Sequence, residues 1–440
     1  MKFNFKLQYF MLYFHMILHL DLDCFFVSAE RTINKKLLNI PVAVGGRSNI
    51  NIFNAKKANR LLSSNSGAFV SSIISYNDEE DSQYFKDEQG RIRGIITTSS
   101  YEARAMGVKT AMSVSEALSI CPQLKMVRPN YPLYHELSHK LALLLSHKMP
   151  FVEQFSIDEF FGDVTGWVSD SQIETFAYEL KKEIQTKLDL PISIGVANTK
   201  YMAKLVTEYA KPNGVKVLFK NEEEEFIKDI NIEKFAGIGK QFSQKLRGYG
   251  ISTLGQVKAK KELFYSWKKP GIQLYNRICG LDKEKVSSFY EEAYDSRKSI
   301  GIGRTFDAIA SREELKRRVV ILCRYISFLV KKQKVNPQTF FIKIKYEYNS
   351  KSKNYLHTNR LFSEAYLKET MIELFNKTDI HKSHKVVQLI IAVSNFNEHN
   401  LKSYDIFNYE EDLKRTQLNN SLQHLREKFG IDIIKNGVEI

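Results

Sequence analysis

Cysteine is scarce in this chain: Cys24, Cys121, Cys279 and Cys323 are the only four in 440 residues. They lie far apart and form no C-x-x-C pair, which excludes a zinc ribbon and a disulfide framework and fits a reducing, cytosolic compartment. The stretch Met1 to Met16 is rich in Phe, Tyr and Leu, but it lacks the length of a membrane span and the small-residue cleavage site of a signal peptide. Met16 stands directly before Ile17-Leu18-His19-Leu20, so translation is expected to begin there, with residues 1–15 an extension that is not native. No internal repeat is evident. The phosphate-binding loop G-x-x-x-x-G-K-[ST] is absent, which disfavours an ATPase of that class. Acid is short relative to base: Lys and Arg total 65, Asp and Glu 50, a formal charge of +15 and a pI of about 9.3. An excess of that size points to a polyanionic partner such as nucleic acid or an anionic membrane surface.

What is present is an ordinary globular composition, 43% hydrophobic and 26% charged, with room for two to four compact units. A buried strand is expected over Ile17–Leu22, then an aromatic turn and a helix, then a short strand over 40–44 closed by Gly45-Gly46. Residues 47–93 are polar, carry Ser63-Ser64-Asn65-Ser66-Gly67 and Asp78-Glu79-Glu80-Asp81, and read as a surface insertion, at least partly disordered. Order returns with a strand over 94–98. Leu137, Leu141, Leu144 and Leu145 lie at helical spacing within 132–149. Residues 152–164 read as strand, turn, strand, and 175–188 and 200–209 as helices flanking a strand over 192–196. This is an α+β unit assembled from two separated pieces of chain. Residues 222–280 are helical. From 297 strands and helices alternate again, and residues 297–346 hold 13 Lys or Arg against three acids. The tail ends in a helix expected over 418–429.

Five motifs carry chemistry. In His19-Leu20-Asp21-Leu22-Asp23-Cys24-Phe25-Phe26 an apolar strand ends in carboxylates, whose burial is costly unless a cation or hydrogen bonds compensate it. Taken alone, Asp21 is as readily a helix cap. In Phe155-Ser156-Ile157-Asp158-Glu159-Phe160-Phe161 two adjacent acids interrupt an apolar hairpin; neighbours on a strand face opposite ways, so both reach one site only at a turn or strand end. Alone, this is also an ordinary polar turn. Three carboxylates on facing strand ends make a hard-oxygen site suited to Mg²⁺. Two such ions about 3.5–4 Å apart activate a hydroxyl and neutralise a departing pyrophosphate. In Thr97-Thr98-Ser99-Ser100-Tyr101-Glu102-Ala103-Arg104 a hydroxyl-rich strand end runs into a helix, an arrangement that binds phosphate, with Arg104 one turn in. Tyr209-Ala210-Lys211-Pro212-Asn213-Gly214 is a tight turn presenting a lysine. Phe235-Ala236-Gly237-Ile238-Gly239-Lys240 has the helix-hairpin-helix pattern, in which backbone amides approach a DNA phosphate without reading sequence; a plain helix–helix turn has the same look.

These five motifs, in this order, resemble the Y-family (translesion) DNA polymerases, within them the DNA polymerase IV branch, over residues 16–396 and a similar tail. The resemblance implies a right hand: palm at 16–24 and 130–218, small fingers at 25–129 with the insertion at about 47–93, helical thumb at 219–290, a linker at 291–296, a little finger at 297–396 and a C-terminal tail at 397–440. It implies low-fidelity addition of dNTPs to a primer 3′-hydroxyl on primer-template DNA, by a cytoplasmic monomer without membrane association. Asp21 and Asp158 would bridge two Mg²⁺ ions, with Mn²⁺ able to substitute. The Leu22 carbonyl would ligate the nucleotide-side ion, and Glu159 would complete the catalytic site. Phe26 would lie under the sugar and clash with a 2′-hydroxyl. Thr98, Tyr101, Arg104 and Lys211 would hold the triphosphate, and Gly237, Ile238, Gly239, Lys240, Arg297, Lys298 and Arg304 would meet DNA. The family often ends in a Gln-Leu-x-Leu-Phe-like peptide for the sliding clamp; Ser403-Tyr404-Asp405-Ile406-Phe407 keeps only the hydrophobic pair, which implies weakened clamp binding through Ile406 and Phe407.

Two competing readings remain. His135-Glu136-Leu137-Ser138-His139 matches the H-E-x-x-H helix of zinc metalloproteases, though no third ligand pattern follows and the same helix must bury Leu137, Leu141 and Leu144. A non-catalytic DNA-binding scaffold of the same fold is the other, weakened by the presence of all three carboxylates.

Overall fold

The computed structural model describes residues 15–47, 50–53, 59–62, 73–76, 81–87, 89–287, 298–396, 405 and 407–439. Residues 1–14 of the expected N-terminal extension, the Ser63–Gly67 run, Asp78, Glu79, Glu80, Arg297 and Ile406 lie outside them. The chain divides into two compact units, one of residues 1–45, 66–68 and 95–293, the other of 46–65, 69–94 and 294–440.

In the first unit a five-stranded sheet runs in the order Val215–Val217, Ile192–Ala197, Ile17–Leu22, Glu159–Asp163, Phe151–Gln154. The central strand Ile17–Leu22 is buried along its whole length. It pairs antiparallel on both sides, so Asp21 stands opposite Glu159 on one neighbour and opposite Ser193 on the other. The helix Lys200–Ala210 lies directly on this sheet. A Cβ at Gly195 would come within 2.4 Å of the Thr207 nitrogen and 2.5 Å of the Ala203 carbonyl oxygen, so only glycine admits the helix at that depth. This close seat brings Lys204 and Lys211 to the carboxylate end of the strands. Gly214 is bound by the same kind of limit, since its Cβ would lie 2.1 Å from the Ala210 carbonyl oxygen.

A three-stranded sheet, Ile95–Ser99, Val42–Gly46, Lys125–Val127, completes the unit's first half. The second half is helical, with Lys240–Gly248, Lys261–Ser266 and Lys268–Ile278 closing over a core that includes Ile232, Phe235, Leu246, Ile251, Phe264 and Ile278.

The second unit is a four-stranded antiparallel sheet in the order Ser299–Ile309, Val386–Phe396, Pro337–Tyr346, Lys351–His357. The helices Arg312–Lys332 and Glu364–Thr378 pack on it. Period-two alternation sorts its faces: Phe340, Ile342, Ile344 and Tyr346 are buried, while Lys343 and Lys345 turn the other way. The helix Arg312–Lys332 starts at Ser311, whose side chain accepts from the Glu314 amide, and carries Glu313 and Glu314 in its first turn and Lys331 and Lys332 in its last. Both ends suit the helix dipole. The tail helix is longer than the sequence suggested, running Tyr409–Phe429.

The polar composition of 47–93 suggests a surface insertion, yet it holds buried anchors. Ile52 and Phe53 are 1% and 2% exposed and belong to the same core as Ile300, Ile302 and Leu315. The Arg318 guanidinium lies 4.5 Å from the Phe53 ring centroid and 4.6 Å from that of Phe306, and Arg317 Nη2 donates to the Phe53 carbonyl at 3.0 Å. Two apolar residues in a polar run are too short a signal for any periodicity to reveal.

Candidate active site

The acids the sequence singles out are brought to one end of the palm-like sheet. Asp21 is opposite Glu159 in register, and the Leu22 amide donates to the Asp158 carbonyl at 3.0 Å. Each carboxylate is engaged elsewhere, however. Asp21 Oδ2 accepts from Lys211 Nζ at 2.7 Å, Glu159 from Lys204 Nζ, and Asp158 Oδ1 from Ser156 Oγ at 2.5 Å. Among the described residues, no group of three or more His, Cys, Asp or Glu side chains stands as a ready-made metal cage. The backbone positions converge, and the side chains as they lie do not.

Electrostatics at this end are short of positive charge. Burial lifts the Asp21 carboxyl from 3.8 to about 7; Lys211 opposes the rise, and Glu159 and Asp158 add to it. Asp158 is raised too, first by burial and then by Glu159 beside it. Burial alone would lower Lys211, but Asp21 and Glu208 together hold its ammonium above the ordinary lysine value. A donor set made of hard oxygens, crowded enough to resist ionisation, fits a divalent cation, because a cation removes the repulsion that holds protons on.

Sequence reasoning missed three residues at this end. Lys204, two helical turns before Lys211, is the partner of Glu159. His19 is fully buried, its Nδ1 2.9 Å from Thr207 Oγ1 and its Nε2 3.8 Å from Glu159 Oε1; burial first, then Lys204 and Lys211, hold it well below the usual histidine value. Asp23 stood in the motif without a role; its carboxylate gathers donors from three distant segments.

The phosphate-binding candidates assemble on the neighbouring sheet. Thr98 is half-buried on the strand Ile95–Ser99. Ser100 caps the next helix, accepting from the Ala103 amide, so Tyr101 and Arg104 lie in its first turns. Arg104 is exposed, its Nε donating to the Ser99 carbonyl at 3.0 Å and its guanidinium 5.1 Å from the Tyr101 ring centroid. Phe26 is buried and stacks on Tyr134, ring centroids 4.3 Å apart. Gly237 has a φ of +97° and Gly239 caps the helix Lys240–Gly248, so the Gly237-Ile238-Gly239-Lys240 turn does sit at a helix N-terminus.

In the second unit Lys298 is exposed. Arg304 shares a strand parity with Ile300 and Ile302, on the face turned to the helices. The open face instead carries Lys343 paired with Lys353 and Lys345 paired with Lys351. Four lysines in cross-strand pairs repel one another and favour a polyanion; the alternation Lys343-Ile344-Lys345 was the legible signal. Of the H-E-x-x-H pattern, His139 is exposed and Glu136 bonds Lys140 at 2.6 Å, while Leu137 and Leu141 are buried.

Known proteins share the sequence pattern and the fold. The impB/mucB/samB family model matches residues 20–208, and the model of that family's C-terminal domain matches 297–406. The chain is 30% identical over 431 residues to the DNA polymerase IV of Oceanobacillus iheyensis, covering 95% of this chain and 90% of that one. It is 27% identical over 429 residues to the DNA polymerase IV of Bacillus anthracis, covering 97% and 93%. Among solved structures, a Y-family DNA polymerase chimera with 21% identity superposes with a TM-score of 0.67, covering 87% of this chain and all of its own.

Proposed function

This chain belongs to the impB/mucB/samB family, the Y-family DNA polymerases, and from that premise we propose how its residues divide the work of synthesis. It is a DNA-directed DNA polymerase of translesion synthesis, a nucleotidyltransferase with the multidomain palm, fingers, thumb and little-finger fold, acting on template-primer DNA with a divalent metal cofactor. The observation that carries the proposal is the convergence of Asp21, Asp158 and Glu159 on adjoining strand ends with too few cations for them.

In this reading Asp21, Asp158, Glu159 and the Leu22 carbonyl would hold two Mg²⁺ ions, with Mn²⁺ able to substitute. When bound, such ions lower the pKa of the primer hydroxyl and neutralise the pyrophosphate. Lys204 and Lys211 occupy the carboxylates beforehand, and Lys211 is then free to turn to the triphosphate beside Thr98, Tyr101 and Arg104. Phosphoryl transfer needs chiefly positioning and charge neutralisation, which these groups supply. Phe26, fixed by its stack on Tyr134, bars a 2′-hydroxyl. The Gly237–Lys240 turn and the lysines at 298, 343, 345, 351 and 353 hold the DNA backbone, so binding weakens steeply with salt.

Asp158→Ala and Glu159→Ala are expected to abolish primer extension with Mg²⁺ while leaving DNA affinity largely intact; retained synthesis would remove the mechanism. In the same assay Phe26→Ala should admit ribonucleotides, and unchanged sugar selectivity would refute the gate. Among the described residues no helix is long and apolar enough to cross a membrane, and we place the enzyme in the cytoplasm as a monomer. Clamp binding through Ile406 and Phe407 is supported by Phe407, which is 94% exposed. The variant to use is Phe407→Ala, because truncation before it would also strip Asp412, Arg426 and Glu439 from their ion partners in the second unit. Equal clamp affinity of Phe407→Ala and the parent would end that assignment.

A further inference from the structure

Asp23 is 2% exposed, lies two residues from a proposed metal ligand and has no lysine or arginine partner among the described residues. Its charge is met by neutral donors. Oδ1 accepts from the Tyr101 hydroxyl at 2.9 Å and from Ser193 Oγ at 3.1 Å; Oδ2 accepts from Ser193 Oγ at 2.9 Å and from the Asn213 amide at 2.7 Å. Its own amide donates to the Pro191 carbonyl at 3.0 Å, and its carbonyl accepts from Ser28 Oγ at 2.5 Å. Both oxygens of the carboxylate are therefore pinned, by partners that Asp21 does not share, since Asp21 Oδ2 is on Lys211.

The donors come from three separate segments. Tyr101 opens the short helix of the phosphate-binding motif. Ser193 lies on the strand beside Asp21. Asn213 sits in the Lys211-Pro212-Asn213-Gly214 turn, at a φ of +51°. One buried carboxylate thus ties the helix that carries Tyr101 and Arg104 to the turn that presents Lys211. A carboxylate offers two acceptor oxygens where an amide side chain offers one, so it accepts from the phenol on one oxygen and from the turn amide on the other, fixing their separation.

We propose that Asp23 is a positioning residue for the incoming nucleotide: through the Tyr101 hydroxyl it holds the helix that carries Arg104 in register with the Lys211 turn, so that Arg104 and Lys211 grip one triphosphate, and it is not a metal ligand. This rests on the reading of Arg104 and Lys211 as triphosphate ligands. Both links are hydrogen bonds to a charged group, each worth roughly tenfold or more in affinity.

The test measures equilibrium affinity for a dNTP on a dideoxy-terminated primer-template, together with KM, kcat and the Mg²⁺ requirement. The variants are Asp23→Asn, Tyr101→Phe, Arg104→Ala, Lys211→Ala and the Asp23→Asn/Tyr101→Phe pair. The expected result is a loss of about tenfold in dNTP affinity for Asp23→Asn, seen in KM with kcat changed far less. The double variant should be no weaker than Asp23→Asn within about twofold, because the two share one interaction. The Mg²⁺ requirement should stay that of the parent. Additive losses, unchanged dNTP affinity of Asp23→Asn, or a raised Mg²⁺ requirement would each overturn the proposal. If Arg104→Ala and Lys211→Ala both leave dNTP affinity unchanged, the underlying triphosphate reading falls as well, which separates the two failures. Should Asp23→Asn fail to fold, Ser193→Ala removes a donor from the same carboxylate. It should raise KM for the dNTP with kcat preserved, and an unchanged KM would overturn the proposal equally.

Discussion

Both units bury carboxylates, and the protein treats them in opposite ways. At the palm-like sheet the acids Asp21, Asp158, Glu159 and Asp23 stand beside two lysines, Lys204 paired with Glu159 and Lys211 with Asp21, and burial drives Asp21 and Asp158 upward. In the second unit Glu364, Asp432 and Glu439 are matched by Arg324, Lys368 and Arg426: Arg324 bonds Asp432 and Glu439, Lys368 bonds Glu364 and Glu439, and Arg426 bonds Glu364. Burial works against the Glu364 carboxylate there too, but Arg426 and Lys368 hold it below the usual range. The depth is similar and the sign is opposite, so the count of cations per carboxylate decides the outcome. A fully matched set is structural. A set left short of positive charge has an unmet demand that substrate and metal satisfy, which is why perturbed acids cluster at functional sites.

The comparison can be broken by removing one acid from each side. The largest effect belongs to the first unit. Asp158→Ala should cost on the order of a thousandfold or more in extension rate. Its unfolding midpoint in EDTA should match or exceed the parent's, since a repelling charge has gone. A marked fall in stability would mean that the palm acids are structural after all. Next comes Glu364→Ala, which strands the buried Arg426 and loosens Lys368. Breaking one partner of a buried pair costs about 3–5 kcal/mol, read as a lower urea midpoint for the second unit. A change within about 0.5 kcal/mol, the range of ordinary surface substitutions, would show that set to be as slack as the first.

The same contrast explains which parts were legible from residues alone. The palm strands announce themselves: Ile17–Leu22 is apolar enough to be buried on both faces, and an Asp-Glu pair inside an apolar hairpin is conspicuous. Acids that interrupt a hydrophobic pattern stand out, so pattern reading finds them. Matched buried charges leave no such mark. The tail helix starts at Tyr409 rather than near 418 because its attachment runs through Asp412 to Arg360 and Arg426 to Glu364, not through an apolar stripe. Asp23 has partners 78, 170 and 190 residues away, beyond any local spacing rule. The resemblance implies that Arg304 meets DNA, but the face it occupies depends on a strand register that the pairing with Leu389 fixes.

The smallest effect is the most diagnostic, because the first unit should lose stability as pH rises and the second only as pH falls to acid values. In EDTA, Asp21 has a folded pKa of about 7, above the unfolded value of about 3.9. Its contribution is therefore present in full below that unfolded value and is lost as pH rises through 7. Glu364 is depressed in the folded state, so its contribution is present above the unfolded value of about 4.3 and is lost as pH falls through the lower folded one. Urea unfolding followed from pH 4 to 8 should show the first unit weakening with rising pH while the second holds steady. Asp21→Asn should flatten the first slope and Glu364→Gln should leave it untouched. Adding Mg²⁺ should reverse it, since the ions bind only ionised carboxylates and so stabilise the folded state more as pH rises. A first-unit slope indifferent to both Asp21→Asn and Mg²⁺ would show that the unmet demand for positive charge at the palm is not the one the metal answers.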